Sequence, residues 1–313
     1  MNTTTLLSVK AKKETLKGSL LVLAGASGYG LLSPIAKLAY RDGFSAAAVS
    51  VGQVLFGAIL VSIVLIIQNF TGPKLSEYIK PSNRQKLLLA GAGTFLGFTT
   101  VFIYKALALL PASIGIVLLF QFTWMGIVME AILTKKRPGK EKIFSLLVLL
   151  GGTLLASGAV EASSVHLSML GVFWALLSAV SYTLVIYVSG NTVTQAAPLS
   201  RTFYMSLGSL VVTILCFPPE TILFTVSNFE IMKWGLLLGL LGVVIAPVLL
   251  NKGLPAVSLA LGTIISAIEL PVVVIASVLI LDEKVSTLQW LGVIGILFAI
   301  ALPYILNTRN NKK

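Results

Sequence analysis

The stretch "ISAIELPVVV", residues 265–274, sets a carboxylate, Glu269, two residues before Pro271 inside a long apolar run. Lys252 and Asp282 bound that run, so at ~1.5 Å of rise per helical residue Glu269 lies roughly 20 Å from the far boundary. It therefore stands near the middle of whatever the run crosses.

The surrounding composition says what that is. Of 313 residues 57% are hydrophobic and only 11% charged, with a mean hydropathy of +0.98, more apolar than a water-soluble core requires. The solvent is a bilayer, whose hydrocarbon core of ~30 Å takes about 20 apolar residues per helix. Ten such runs are expected, over 18–39, 45–69, 86–109, 112–133, 142–159, 167–188, 199–217, 231–251, 256–281 and 287–307. They lack the alternating polarity of a transmembrane β-barrel, so the fold class is an all-α polytopic membrane protein. The first run follows Lys10, Lys12, Lys13 and Lys17 in the manner of a signal peptide, but its length and the nine runs after it make it an uncleaved first helix.

The formal net charge is +12. With the N-terminus in the cytoplasm and ten crossings, 18 of the 23 Lys and Arg fall on the cytoplasmic side, leaving Lys37, Arg41, Lys105, Lys233 and Lys284 outside. That asymmetry predicts both termini in the cytoplasm and makes the basic charge a matter of topology and anionic lipid rather than of nucleic acid. No organellar signal appears, which makes a bacterial plasma membrane the expected location. The single cysteine, Cys216, excludes an intrachain disulfide and offers no metal site. No cofactor is expected.

The joints between runs are short, the longest at 70–85 and 218–230, and they divide the chain into residues 1–160 and 161–313, five helices each. Across that division "YKALALLPASIGIVLLFQFTW" (104–124) aligns without a gap on "NKGLPAVSLALGTIISAIELP" (251–271), pairing Lys105 with Lys252, Leu107 with Leu254 and Gly115 with Gly262. Five helices per half make the second copy begin on the opposite side of the membrane, so the repeats are inverted, an architecture that sets a substrate site near the midplane between halves.

These features together, with "YKALALLPAS" after helix three and "GTIISAIELPVVVIASVLILDEKVSTLQWLGVIGILFAIAL" (262–302) closing the second half, resemble the EamA family of the drug/metabolite transporter superfamily, ten-helix type. The resemblance implies a central cavity lined by helices one, three, four, six, eight and nine, without naming a substrate. The first half departs from the pattern: "TKKRPGK" (134–140) stands where the second has Asp282 and Glu283, and Trp124 stands at the place of Pro271.

Within this frame Glu269 is the leading functional residue. A charge at mid-bilayer costs about 2.5–3.5 kcal/mol on insertion scales, so it faces protein or water. A carboxyl removed from water favours its neutral form, which makes exchange of a proton for substrate one reading; a neutral Glu bonded to a freed carbonyl, joining helices, is the other. Pro271 lacks a donor and clashes with the carbonyl of residue 267, so a kink is expected there, and Pro34 and Pro247 predict kinks in helices one and eight. Gln121 and Trp124 share a face of helix four and align with the Glu269 region, making them its expected partners; Tyr29, Tyr104, Tyr182 and Asn251 complete the set of substrate-binding or coupling residues, with Ser33 and Gln53 as further polar positions. Lys105 and Lys252 would either gate the cavity or snorkel to the interface, and Glu130 is expected to pair with Lys135.

The expected function is a secondary transporter that moves a small organic solute such as a metabolite, amino acid or drug by alternating access, with export the expected direction and proton coupling through Glu269. The alternative is an uncoupled facilitator or channel for a neutral solute or organic cation. An enzyme is not expected: His166 is the sole histidine, and no nucleophile lies beside a base.

Overall fold

The computed structural model describes residues 3–71, 78–107, 109–110, 112–158 and 168–310. His166, Pro111 and the expected division at 160/161 lie outside the described residues. The described chain is helical, joined by short turns and one isolated parallel bridge between Ile79 and Ala196.

In order the helices are α1 (Thr3–Gly30), α2 (Leu32–Arg41), α3 (Ala46–Thr71), α4 (Asn83–Leu107), α5 (Ala112–Leu119), α6 (Phe122–Thr134), α7 (Lys140–Ala156), α8 (Met169–Asn191), α9 (Pro198–Cys216), α10 (Pro219–Ser227), α11 (Phe229–Gly239), α12 (Ala246–Gly253), α13 (Leu259–Ser266), α14 (Glu269–Leu281) and α15 (Thr287–Asn310). Several of these are halves of one interrupted helix: α1 with α2, α5 with α6, α11 with α12 through a π-helical turn, and α13 with α14. Counted so, eight helices among the described residues are long and apolar enough to cross a membrane. The other two expected spans are α7, of 17 residues, and the apolar part of α15, Thr287–Pro303. The joint at 218–230 differs from the expected loop, because Pro219 opens the short helix α10 and the Asn228 side chain caps α11 through the N–H groups of Glu230 and Ile231.

The repeat is legible in the backbone. Helices α5, α6 and α7 begin at 112, 122 and 140, and α13, α14 and α15 begin at 259, 269 and 287, each 147 residues later; α5 and α6 end at 119 and 134, α13 and α14 at 266 and 281. Both α6 and α14 terminate in a left-handed residue, Lys135 with φ 54° and Asp282 with φ 55°. The turn geometry is thus common to both halves although the residues there carry opposite charge.

Close backbone approach replaces hydrophobic contrast as the packing device, as expected where lipid is as apolar as the side chains. Helices α7 and α15 lie antiparallel, with Gly152 against the Gly292 carbonyl. Helix α4 lies on α9, where Ser181 and Ser178 of the neighbouring α8 donate to the Phe95 and Thr99 carbonyls at 2.7 and 3.0 Å. The outer surface is apolar, with Ile132, Leu147, Leu215 and Leu279 exposed.

Charges collect at the helix ends. Glu130 pairs with Lys142, not with Lys135, and also accepts the Ala260 N–H at 2.7 Å, so it holds the first turn of α13. The local expectation failed because Lys135 turns the chain in the left-handed region, whereas α7 and α13 bring Lys142 and the N–H of Ala260, in the first turn of α13, to the carboxylate. At the far end of α14, Lys37 pairs with Glu283 at 2.8 Å. Nearby, Lys233 and the Trp234 indole donate to Asp42 and hold its carboxyl below the ordinary range.

A methyl group on Gly93 would enter the Met205 carbonyl, whereas one on Gly91 meets nothing within 4 Å. Gly93→Ala is expected to lower the melting temperature of the purified protein by roughly 2–10 °C and Gly91→Ala to leave it unchanged, as read by thermal unfolding in detergent.

Candidate functional site

The site lies where interrupted helices meet. Pro271 cannot donate, and the preceding N–H groups shift to the i−3 pattern, with Ala267, Ile268 and Leu270 bonding Ile264, Ile265 and Ala267. Helix α13 therefore stops at Ser266 and α14 restarts at Glu269, which puts the carboxylate in the first turn of a helix inside the bundle. The expected kink takes the form of a tight two-residue turn at Ala267 and Ile268, both still in right-handed helical geometry.

The first repeat breaks at the matched residues without a proline. Gln121 directs its backbone N–H to Leu118 and its side-chain Nε2 to the Val117 carbonyl at 2.9 Å, so the amide supplies the missing donor. Thr183 of α8 donates to the Phe122 carbonyl and Thr263 of α13 to the Thr123 carbonyl, each at 3.3 Å. Gln121 Oε1 also accepts the Trp124 indole at 2.9 Å, and Trp124 is 36% exposed. The expected partners of Glu269 from helix four thus engage each other. The helix-four ring in the cluster is instead Phe122, fully buried and 147 residues before Glu269. The alignment of 104–124 on 251–271 pairs Phe122 with Glu269.

Around Glu269 the Tyr182 hydroxyl donates to Oε2 at 3.4 Å. Tyr182 meets Phe122 edge to face at 4.8 Å between centroids and Tyr29 at 6.4 Å, a preferred aromatic geometry. Helices α1, α6, α8 and α14 each contribute one side chain. Gly30 permits the approach: a Cβ there would lie 2.6 Å from the Glu269 carbonyl oxygen and 2.7 Å from Val272 Cβ. Gly30 is the residue whose carbonyl Pro34 leaves without its usual donor, so the interruptions of helices one and nine touch.

From Tyr29 a narrow internal cleft with room for about one water molecule runs to Asn251, past Ser189, Thr202, Ser206 and Pro247. Pro247 follows the π-helical turn Leu240–Ile245, where the Ala246 N–H bonds Leu241, so its expected kink takes the form of a wide turn. Asn251 Nδ2 donates to Thr202 Oγ1 at 3.0 Å and to Met205 Sδ at 3.7 Å, while its Oδ1 is buried with no partner among the described residues. Residues of helix seven line the cleft beside those of helices one, three, six and eight, a contribution beyond the expected lining.

Beneath Asn251 lies Arg201, 1% exposed. Its Nε donates to the Thr192 carbonyl at 3.1 Å, and its two terminal nitrogens donate to the Asn251 and Ser189 carbonyls. The sequence marks it only as one basic residue among many. A guanidinium at the C-terminal ends of α8 and α12 suits the negative ends of their dipoles.

The other expected residues lie apart. Tyr104 faces Phe217 at 6.4 Å, beside Tyr40 and Ser50. Lys105, exposed, stands over the Trp174 ring at 4.6 Å, and Lys252 is exposed in the last turn of α12. Among the described residues no group of His, Cys, Asp and Glu is arranged to hold a metal.

The model of the EamA-like transporter family matches the chain twice, over residues 16–158 and 169–305. The protein belongs to that family, and so to the membrane transporters of the drug/metabolite superfamily. A solved structure described only as "Crystal structure of protein" shares the fold, with a TM-score of 0.72 at 18% identity over 93% of this chain and 98% of that one. No curated protein matches the sequence.

Removing the guanidinium leaves three buried carbonyls without donors. Arg201→Met is expected to cost on the order of 3 kcal/mol or more; Lys233→Met, at an exposed pair, is expected to change little, and thermal unfolding of both variants checks the contrast.

Proposed function

We propose that this protein is a secondary transporter that carries a small organic solute across the plasma membrane by alternating access, with Glu269 as its coupling carboxyl. The single observation that carries the reading is the pair of helix breaks at 120–121 and 267–268, matched in register and brought to one cluster with Glu269, Tyr182 and Tyr29. A broken helix in lipid exposes backbone groups that must be covered by protein or by a cavity, and breaks in corresponding places of two halves mark a substrate site.

The architecture in this reading is ten crossings in two inverted five-helix repeats. Its support is the constant 147-residue register together with the antiparallel pairing of α7 with its counterpart α15. The termini are cytoplasmic by the asymmetry of Lys and Arg, the cell is bacterial and the direction is export.

Coupling follows from a carboxyl whose only hydrogen bond among the described residues is the long one from Tyr182. A proton and a solute compete for it, so each turn of the carrier exchanges one for the other. An uncoupled carrier would need no ionisable group at this depth.

In proteoliposomes wild-type protein is expected to accumulate solute against its gradient when a pH gradient is imposed, and Glu269→Gln to bring the accumulation ratio down to about one while exchange of labelled for unlabelled solute continues. Uphill transport retained in the variant would overturn the coupling role, and linear, non-saturable flux would make the protein a channel.

A further inference from the structure

We infer that the solute is an amine: its recognised head carries N–H donors and positive charge, and it lacks a carboxylate. This rests on the transporter reading above and adds the class of solute to it.

Two buried acceptors near the cluster are open to a ligand, and the Ser266 hydroxyl, three residues before Glu269 and also unpartnered among the described residues, can accept as well as donate. Among the described residues Glu269 has one hydrogen bond, from Tyr182 at 3.4 Å, for a carboxylate able to accept about four. Asn251 Oδ1 is buried, 1% exposed as a residue, and unpartnered among the described residues. The orientation of that amide is fixed by Met205, because a thioether accepts and does not donate, so the nitrogen must face the sulfur and the oxygen must face away. The cleft that Asn251 lines is also lined by Leu96, Val185, Val243 and Tyr29, and Tyr29 meets Tyr182, the donor to Glu269. Tyr29, Tyr182 and Phe122 add ring surfaces that attract a cation.

The positive groups that a carboxylate would need are occupied or elsewhere. Arg201 directs its donors at three backbone carbonyls. Lys142 and Lys37 are paired with Glu130 and Glu283, Lys105 lies over Trp174, and no Lys or Arg lines the cleft. The positive N-terminus of α14, which in other carriers could take a substrate's carboxylate, already holds Glu269 in its own first turn. An amino acid or organic acid would have to leave its carboxylate beside Glu269 without a counter-charge.

The test uses three compounds that share a phenyl ring and differ only in the head: phenethylamine, phenylalanine and 3-phenylpropionate, titrated calorimetrically into the full chain in nanodiscs. Phenethylamine is expected to bind at least about ten-fold tighter than phenylalanine, with 3-phenylpropionate not binding. Asn251→Leu and Glu269→Gln are each expected to weaken the amine by about ten-fold, and Asn251→Asp, which keeps an acceptor in place, to retain it. Because the Leu variant could lose its fold, thermal unfolding accompanies each titration, and the Asp and Gln variants carry the conclusion if it does. Phenylalanine or 3-phenylpropionate binding as tightly as the amine, or no amine binding at all, overturns the assignment and leaves the transporter reading standing. Amine binding unchanged in Glu269→Gln, or in a folded Asn251→Leu, overturns the site.

Discussion

In hydrocarbon a backbone amide has no water to fall back on, and this constraint determines where the protein can be irregular. Every interruption of a membrane helix frees N–H and C=O groups that must find partners within the protein. The two central breaks solve this differently. At 120–121 a glutamine side chain bonds the freed Val117 carbonyl, and threonines of two neighbouring helices bond the Phe122 and Thr123 carbonyls in the turn that follows. At 267–268 a proline removes a donor outright and the turn tightens. Both solutions need close neighbours, so the breaks lie inside the bundle, with Glu269 and Tyr182 beside them.

Much of this was readable from local sequence. Hydropathy gives the helices after the first to within a few residues, because lipid thickness sets helix length directly, whereas α1 begins at Thr3, well before the expected start at 18, since a polar, lysine-rich segment can continue a helix outside the apolar run; Pro271 marks the turn because a missing N–H acts within one turn. Glu269 stands out in the sequence as a carboxylate inside an apolar run. Partners were not, since they depend on which faces meet. Trp124 and Gln121 lie three residues apart on one helix, and that spacing says equally that they can bond each other or a third residue. The π-helical turn before Pro247 and the helix α10 leave no mark in hydropathy. Phe122 is one phenylalanine among 15, and nothing in its neighbourhood distinguishes it until the repeat is set in register.

Arg201 is the instructive omission. Counted with the other basic residues it supports a topology, but it is buried and bonds carbonyls at the ends of two helices. Its charge is compensated by backbone dipoles rather than by a carboxylate, so no pairing pattern in the sequence announces it. The same arrangement holds the Asn251 backbone from below, at the end of the cleft away from Tyr29.

The constant register between the halves has a consequence for how this chain can change. Each residue in an α-helix advances the side chains by about 100° around the axis. One residue inserted between 112 and 156, or between 259 and 303, would turn a helix by that angle and carry its lipid-facing leucines toward the tyrosines. Substitution leaves the angle alone. The two halves have accordingly exchanged a carboxylate for a phenyl ring, and an aspartate turn for a lysine one, while the boundaries of α5 and α6 and the start of α7 remain the same distance from those of their counterparts. Length is the inherited quantity here, and chemistry the variable one.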